Sequence, residues 1–379
     1  MRIATWWSTA AALALCCSSP AAAQTWSNCN PLHTTCPPNT ALGMSVNVDF
    51  TRGSVNSFAA SGSPKYSKTD GVSFTVAQSG DAPQLGSLFY IMFGRVEITM
   101  KAAPGAGIVS SLVLESDDLD EIDIEWLGAN PDEMQSNYFG KGLTTTYNRG
   151  QFHSVKGTQI QWIKYTIDWT KDRIVWMVGD TVVRELKQAD AAANQYPQTP
   201  MQIKFGSWAG GDPSRNAPGT VQWARGPTDY SKGPFSMLVK SLSVTDYSTG
   251  KEYKYKDTSG SWTSIEAVGG AVNGNANGKS AITVTATAAG TAATTFMSVP
   301  VGGMGKDGSA ATATQTGWPW VGTDRPTGGS IPSGWYMTAD GKIMRSPSSA
   351  AMGMMPSMPL LVTMASFAAG AAVFAARFA

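Results

Sequence analysis

The chain has 379 residues, a formal net charge of +1 at pH 7 and 15% charged residues. It has no basic patch, and since phosphate binding demands clustered lysine and arginine, nucleic acid is not an expected partner. With two histidines and four cysteines, a zinc site is poorly supported, and neither a metal nor a cofactor is expected.

Residues 1–23 are predicted to be a secretory signal peptide. Arg2 supplies a positive charge, Trp6 to Cys17 is an apolar run, and Ala21 to Ala23 offers a small-residue cleavage site. The apolar run is too short to favour a transmembrane anchor. Cleavage would leave two cysteines, Cys29 and Cys36, in a proline-rich loop, and in a secreted chain this pair predicts one small disulfide.

Residues 24–268 are predicted to form one all-β sandwich domain. Short alternating runs recur between glycine, proline, asparagine and aspartate, as in Val72–Val76, Gly94–Met100, Trp162–Trp169 and Ile174–Val178. Strands at this density, with few helical windows, are typical of a β-sandwich, and the length is normal for that class.

Glu121, Asp123 and Glu125 alternate with Ile122 and Ile124. A β-strand sends every second residue to the same face, so the three acids are predicted to share one face. Such crowding raises the pKa of at least one acid, and it suits glycoside cleavage, in which one carboxylate attacks the sugar and another donates a proton. At roughly 3.3 Å per residue the outer Cα atoms would be about 13 Å apart, which permits either retaining or inverting chemistry.

Two other interpretations of the acids stay open at this point. They could form a solvated acidic strand face, or a calcium site together with Asp117, Asp118 and Asp120, although the spacing is not that of an EF-hand. Trp126 is expected to pack beside the acids and to help raise the pKa of Glu125.

The segment Gln202 to Trp208 is predicted to be a strand that carries sugar contacts. Lys204 and Trp208 would share one face, with Gly206 leaving space between them, while Ile203 and Phe205 would face the core. The alternatives are a solvated surface lysine and a core tryptophan.

The C-terminal third of the chain changes in composition. Residues 269–349 are rich in glycine, alanine, serine and threonine and are expected to be a disordered stalk, because they offer little apolar surface to bury. Residues 350–379 resemble a glycosylphosphatidylinositol attachment signal, with Ser348, Ser349 or Ala350 as the attachment residue. A C-terminal transmembrane helix is the alternative.

The segment Asp120 to Gly128 resembles the signature of glycoside hydrolase family 16, and within it the chain most resembles the fungal Crh-type cell-wall transglycosylases. Similar segments follow at Asn137–Gly142, Tyr165–Thr170, Gln202–Asp212 and Ala217–Trp223. The resemblance implies a concanavalin-like β-jelly-roll sandwich with a sugar cleft on one face.

The resemblance also implies roles for individual residues. Glu121 would be the nucleophile of a retaining mechanism, Asp123 would hold it through a hydrogen bond, and Glu125 would be the acid and base. Glu125, Lys204, Trp208 and Thr220 would contact the substrate. Trp223 has the opposite strand parity to Thr220 and is therefore assigned to packing.

The implied function is an extracellular, lipid-anchored, monomeric transglycosylase. Chitin would be the donor, β-glucan or chitin itself the acceptor, and the product a crosslink in the cell wall. The alternatives are an endo-hydrolase of β-glucan or chitin on the same fold, and a non-catalytic wall glycan-binding protein.

Overall fold

The computed structural model describes residues 27–55, 57–143 and 148–276, together with three short strands further along the chain. Two sheets packed face to face form a β-jelly-roll sandwich, so the predicted all-β fold is confirmed. We call these the front sheet and the back sheet, and we number strands in chain order.

The front sheet has seven strands among the described residues, in the spatial order β11-β10-β9-β8-β15-β6-β3. Their bounds are β3 Phe58–Ser61, β6 Gln84–Ser87, β8 Ile108–Ser116, β9 Glu121–Leu127, β10 Glu133–Phe139, β11 Gln151–Ser154 and β15 Met201–Ala209. All the pairings between neighbours in this sheet are antiparallel.

The back sheet runs in the order β14-β13-β12-β7-β16-β2-β19, with β5 also paired to β16 and β4 paired to β5. Its strands are β2 Ser45–Asp49, β4 Lys65–Ser67, β5 Gly71–Val76, β7 Gly94–Lys101, β12 Ile163–Trp169, β13 Arg173–Val178, β14 Thr181–Lys187, β16 Phe235–Asp246 and β19 Thr283–Ala286.

Smaller elements complete the described part of the chain. A third sheet contains β1 Asn39–Thr40, β17 Glu252–Tyr255 and β18 Ile265–Val268, and a separate pair contains β20 Trp335–Met337 and β21 Ile343–Arg345. The helix α1 spans Pro218–Trp223, and single 3₁₀ turns span Phe50–Arg52, Gln188–Asp190, Tyr230–Lys232 and Trp262–Ser264.

The core lies between the two sheets and is filled by one face of each strand. Ile203 and Phe205 of β15 are buried there, as predicted, and the Phe205 ring packs edge-on against Phe74 of β5 at 5.6 Å between ring centroids. Trp126 of β9 meets Tyr165 of β12 in the same way, at 4.6 Å. Each fully buried large side chain contributes about 1.5–3 kcal/mol to folding, so these contacts hold the front sheet on the back sheet.

Specific contacts are found at both ends of the domain. Cys29 and Cys36 form the predicted disulfide, with their Cα atoms 5.7 Å apart. At the other end, Asn275 is buried and its Nδ2 donates to the carbonyl of Asp246 at 2.9 Å, so contacts with the sandwich continue past the predicted boundary at Val268. The predicted signal peptide and attachment signal lie outside the described residues, as does most of the predicted stalk. Within the described part, no helix has the length and apolarity needed to span a membrane.

Candidate active site

Strand β9 places Glu121, Asp123 and Glu125 on the outer face of the front sheet. Ile122 and Ile124, between them, are fully buried in the core. Asp123 is 2% exposed, whereas Glu121 and Glu125 are partly open to solvent. The alternation in the sequence therefore gives the predicted arrangement of three carboxyl groups along one strand face.

Cross-strand pairing surrounds each acid with defined neighbours. On β8, Glu115 lies opposite Glu121, Val113 opposite Asp123, and Ser111 opposite Glu125. On β10, the corresponding partners are Phe139, Asn137 and Gln135. Paired residues share a face, so these six side chains flank the acids on the front sheet.

Glu121 and Asp123 are joined by a side-chain hydrogen bond, which requires one of the two carboxyl groups to carry a proton. Burial is the main reason that both have a pKa well above the usual range, and the neighbouring negative charges raise it further. Asn137 also hydrogen-bonds Asp123, and the guanidinium of Arg184 favours its ionised form. The pair can therefore share one proton while leaving one negative charge available.

Glu125 has a different environment from the other two acids. Burial, followed by the negative charge of Glu121, raises the pKa of Glu125 to about 8. A carboxyl group with this pKa stays protonated at neutral pH and can donate its proton to a leaving oxygen. The strand therefore offers a charged carboxylate and a proton donor on the same face.

Lys204 lies two strands away from the acids, on β15. Its partner across the strand pair is Val113, which in turn is opposite Asp123. The Nζ of Lys204 donates to Oε2 of the buried Glu115, and its positive charge lowers the pKa of Glu121. Lys204 is thus on the predicted face, but as part of an ion pair rather than as an isolated solvated lysine.

Trp208 lies in a small apolar cluster on the outer face of the front sheet, with Val109, Leu127 and Ala224, separate from the main core. Its ring stacks against that of Trp223, with 6.2 Å between the centroids and 23° between the planes. Trp208 is 8% exposed, whereas its neighbour Trp223 is partly exposed. The two rings form one wall next to the acids.

Trp223 corrects one step of the sequence interpretation. The segment with Thr220 is the helix α1 and not a strand, so the parity argument that assigned Trp223 to packing does not apply. Trp223 is partly exposed, and its Nε1 donates to Oε1 of Gln135, the neighbour of Glu125, at 3.0 Å. Thr220 is also partly exposed on this helix.

Gly206 does not leave the open space that the sequence interpretation expected. A Cβ atom at this position would lie 2.3 Å from the carbonyl oxygen of Pro83 and 2.6 Å from Cβ of Gln84. The chain leading into β6 thus packs directly on Gly206. Glycine is required there for close backbone approach.

Trp126 also differs from expectation. It is 1% exposed and lies in the core on the same face as Ile122 and Ile124, opposite to the acids. The strand period of two dictates this placement. Trp126 therefore does not form the wall beside Glu125, and the high pKa of Glu125 has other causes.

The three aspartates that precede β9 are bound by protein donors. Asp117 accepts from Nδ2 of Asn39 and from the hydroxyl of Tyr90, at 2.6 and 2.9 Å. Asp118 and Asp120 are fully buried, and each has a carboxylate oxygen 3.6 Å from Nζ of Lys141. These contacts fix the turn that leads into Glu121, which gives the aspartates a structural role in place of the calcium alternative.

A family model described as "Glycosyl hydrolases family 16" matches residues 53–225. Crh-like protein 4 of Botryotinia fuckeliana is 59% identical over 342 residues, covering 88% of this chain and 89% of that protein. Congo red hypersensitive protein 1 of Saccharomyces cerevisiae is 50% identical over 250 residues, covering 65% of this chain and 48% of that protein. A solved structure described as "Crh5 transglycosylase in complex with NAG" is 49% identical, with a TM-score of 0.61, and the match covers 63% of this chain and 99% of that one.

Proposed function

The chain belongs to glycosyl hydrolase family 16 and, within it, to the Crh-like proteins, and from this premise we propose that it is a retaining transglycosylase that cleaves chitin and transfers it to β-glucan. The observation that carries the proposal is strand β9, which combines a proton-sharing pair, Glu121 and Asp123, with a proton donor, Glu125. A cell-wall transglycosylase needs these two chemical functions on one face of the sheet.

In the first step, the carboxylate of Glu121 attacks the anomeric carbon of the donor sugar. The bond from that carbon to the glycosidic oxygen breaks, and the proton of Glu125 passes to the departing oxygen. The proton that the pair shares passes to Asp123 as Glu121 attacks, so that the attacking carboxylate carries the negative charge. The product is a glycosyl ester on Glu121, with Glu125 ionised.

In the second step, a hydroxyl group of the acceptor glycan attacks the same carbon. Glu125 takes the hydroxyl proton, the ester bond to Glu121 breaks, and Glu125 is protonated again. Formation of the neutral ester removes the charge that raised the pKa of Glu125 in the free enzyme. The pKa of Glu125 is therefore high in the free enzyme, where Glu125 must be protonated to act as the acid. It falls in the glycosyl-enzyme, where Glu125 must be ionised to act as the base.

The donor subsites lie on the β8 and β15 side of the acids, where Lys204, Trp208 and Thr220 are proposed to contact chitin together with Glu125. Support comes from the Trp208 and Trp223 wall, which offers an apolar surface to a sugar ring. The related Crh5 structure was determined with NAG, an N-acetylhexosamine of the kind that builds chitin. The Lys204–Glu115 pair provides a donor and an acceptor for hydroxyl or acetamide groups.

We further propose that the protein acts outside the cell as a monomer, on the outer face of the plasma membrane and in the wall, held by a lipid anchor. Support comes from the sequence at the two ends of the chain, from the Cys29–Cys36 disulfide, which is typical of secreted proteins, and from the family. Release of the protein from intact cells by a phospholipase that cleaves glycosylphosphatidylinositol would support the anchor, whereas retention would contradict it.

The test is an incubation of the purified protein with chitin oligosaccharides and a fluorescent laminarin oligosaccharide, with products identified by mass spectrometry. Mixed products of N-acetylhexosamine joined to labelled hexose are expected. Glu121→Gln and Glu125→Gln should each abolish them while leaving the fold intact. Shortened chitin without mixed products would instead establish the hydrolase alternative, and oligosaccharide binding without turnover would establish the non-catalytic one.

A further inference from the structure

Arg184 places a positive charge in the interior of the sandwich. It lies on β14, an outer strand of the back sheet, and is 9% exposed. Its guanidinium carbon is 4.8 Å from the ring centroid of Trp176, its partner on β13, and 5.4 Å from that of Tyr138 on β10. Burial of a charged side chain is costly unless other groups compensate for the lost water, and the two aromatic faces supply part of this compensation.

Hydrogen bonds connect this guanidinium to the strand beside the acids. Nη1 of Arg184 donates to the backbone carbonyl of Ser136 at 2.9 Å and to its Oγ at 3.0 Å. Ser136 lies opposite Ile124 of β9, on the core side of the front sheet. The same peptide group continues to Asn137, whose side chain hydrogen-bonds Asp123 on the outer face. One peptide group and one side-chain amide therefore separate the positive charge from the acid pair.

A second contact leads from Arg184 to the same acid. The indole that packs against the guanidinium, that of Trp176, donates from Nε1 to the backbone carbonyl of Asp123. The carboxylate whose negative charge acts on Arg184 is that of Asp123. Among the ion pairs of the described residues, none involves Arg184. Its charge is therefore directed at the acid pair and is not cancelled by a direct partner.

The other titratable groups in this region do not replace Arg184. Those near the acid pair are Glu115 of β8, Glu125 of β9 and Lys204 of β15, and those near the arginine are Tyr138 of β10 and His153 of β11. Glu115 and Lys204 form an ion pair with each other, and Glu125 holds its proton below its pKa of about 8. Nε2 of His153 is 2.8 Å from Oγ of Ser136, and burial, followed by the charge of Arg184, lowers the pKa of His153 below its usual value. The imidazole is therefore neutral at neutral pH, and the guanidinium is the cation that acts on the pair from behind the sheet.

We propose that Arg184 is a positioning residue that acts through Asp123: its buried charge, held behind the front sheet, keeps one negative charge on the pair of Glu121 and Asp123 in the free enzyme. This inference rests on the proposed function. With this charge in place, Glu121 is ready to attack at a pH at which Glu125 still holds its proton. Arg184 thus widens the pH range in which the nucleophile and the proton donor are present together, although it does not contact the sugar.

Two neutral variants and one charged variant test the role of this charge. Arg184→Gln keeps an N–H donor for the Ser136 carbonyl, Arg184→Met fills the space without a donor, and Arg184→Lys keeps the charge. A unit charge roughly 8–10 Å away, at an effective dielectric constant of about 20, changes a pKa by roughly 1.2–1.5 units before screening. In the neutral variants, the acid-side limb of the kcat/KM profile for mixed products is expected to move up by about one pH unit. The alkaline limb, set by Glu125, should stay in place, and Arg184→Lys should retain both limbs. Arg95→Met, on the outer face of the back sheet, is the matched control and should change neither limb.

An NMR pH titration of ¹³C-labelled aspartate carboxyl groups measures the pair without turnover, with Asp123→Asn used to assign the signal. The apparent pKa of the pair, observed at Asp123, should rise by about one unit in the neutral variants and stay within a few tenths of a unit in Arg184→Lys. No rise in a folded neutral variant, an equal rise in Arg184→Lys, or the same rise in His153→Gln would overturn the positioning role. Failure of the proposed function gives a different result: the wild-type protein makes no mixed products, although the pKa of Asp123 still depends on Arg184.

Discussion

Replacing Glu121 by Gln should lower the pKa of Glu125 in a measurable way. Burial and the charge of Glu121, in that order, raise this pKa from 4.5 to about 8. Two unit charges about 5.5 Å apart, the separation used by retaining glycosidases, interact by roughly 3 kcal/mol at an effective dielectric constant of about 20. This corresponds to about 2.2 pKa units, and solvent screening at the partly exposed site reduces it.

The expected pKa of Glu125 in the Glu121→Gln protein is therefore roughly 6 to 7, still above 4.5 because burial remains. The assay is an NMR pH titration of ¹³C-labelled glutamate carboxyl groups, with Glu125→Gln used to assign the signal. Glu115→Gln is the matched control, since Glu115 lies opposite Glu121 and raises the pKa of Glu121 rather than that of Glu125.

A pKa of Glu125 that stays within a few tenths of a unit of the wild-type value in Glu121→Gln would refute this reasoning. Burial alone would then account for the high pKa of Glu125, and formation of the glycosyl ester would not lower this pKa for the second step. A similar fall in the Glu115→Gln control would refute it differently, because the effect would then come from a general change in the sheet.

Three further predictions concern pH, the buried charges and the aromatic wall. The value of kcat/KM should fall as pH rises through about 8, where Glu125 loses its proton. It should also fall on the acid side, at a pH above the usual glutamate range, because the pair of Glu121 and Asp123 must carry a negative charge. A flat profile of kcat/KM between about pH 6 and 9 would contradict this prediction. Lys141→Met should lower the free energy of unfolding by about 3–5 kcal/mol, since it leaves Asp118 and Asp120 buried without their cation. Denaturant unfolding measures the loss, with Lys156→Met at an exposed position as the control. A loss of less than about 1 kcal/mol would argue against a role for the Lys141 charge. Trp223→Ala should weaken the binding of chitin oligosaccharides by roughly tenfold without a large loss of stability. Calorimetry measures both quantities, and an unchanged affinity together with a lower Tm would show that Trp223 serves packing and not binding.

The sequence was sufficient to predict the sandwich, the disulfide and the face that carries the acids. Each of these depends on short-range information: strand alternation for Glu121 to Glu125, and the isolated cysteine pair for the disulfide. The core position of Trp126 follows from the same alternation, because Trp126 has the parity of Ile122 and Ile124 and not that of the acids.

The features that the sequence did not predict depend on contacts between distant segments. The backbone of Pro83 fills the space above Gly206, and nothing in the sequence near Gly206 indicates this. The helix around Thr220 did have a local signal, because Pro218 stands at its first turn, where proline is favoured. The partners of Trp223, which are Trp208 and Gln135, come from two different strands and could be found only in the folded chain.

The face of β9 that does not contact substrate determines the geometry of the face that does. Ile122 and Ile124 are buried against the back sheet, and the indole nitrogen of Trp176 donates to the backbone carbonyl of Asp123 at 3.1 Å. A shift of β9 by one residue would turn the three acids into the core and expose both isoleucines, and each buried charge would then cost several kcal/mol. Because β9 is paired on both sides, with β8 and β10, no such shift can occur without breaking two ladders. The packing of the core behind β9 therefore holds the three acids on one face despite their mutual repulsion. Substitutions at core positions such as Ile124 should change the spacing of the carboxyl groups, although these positions do not contact the sugar.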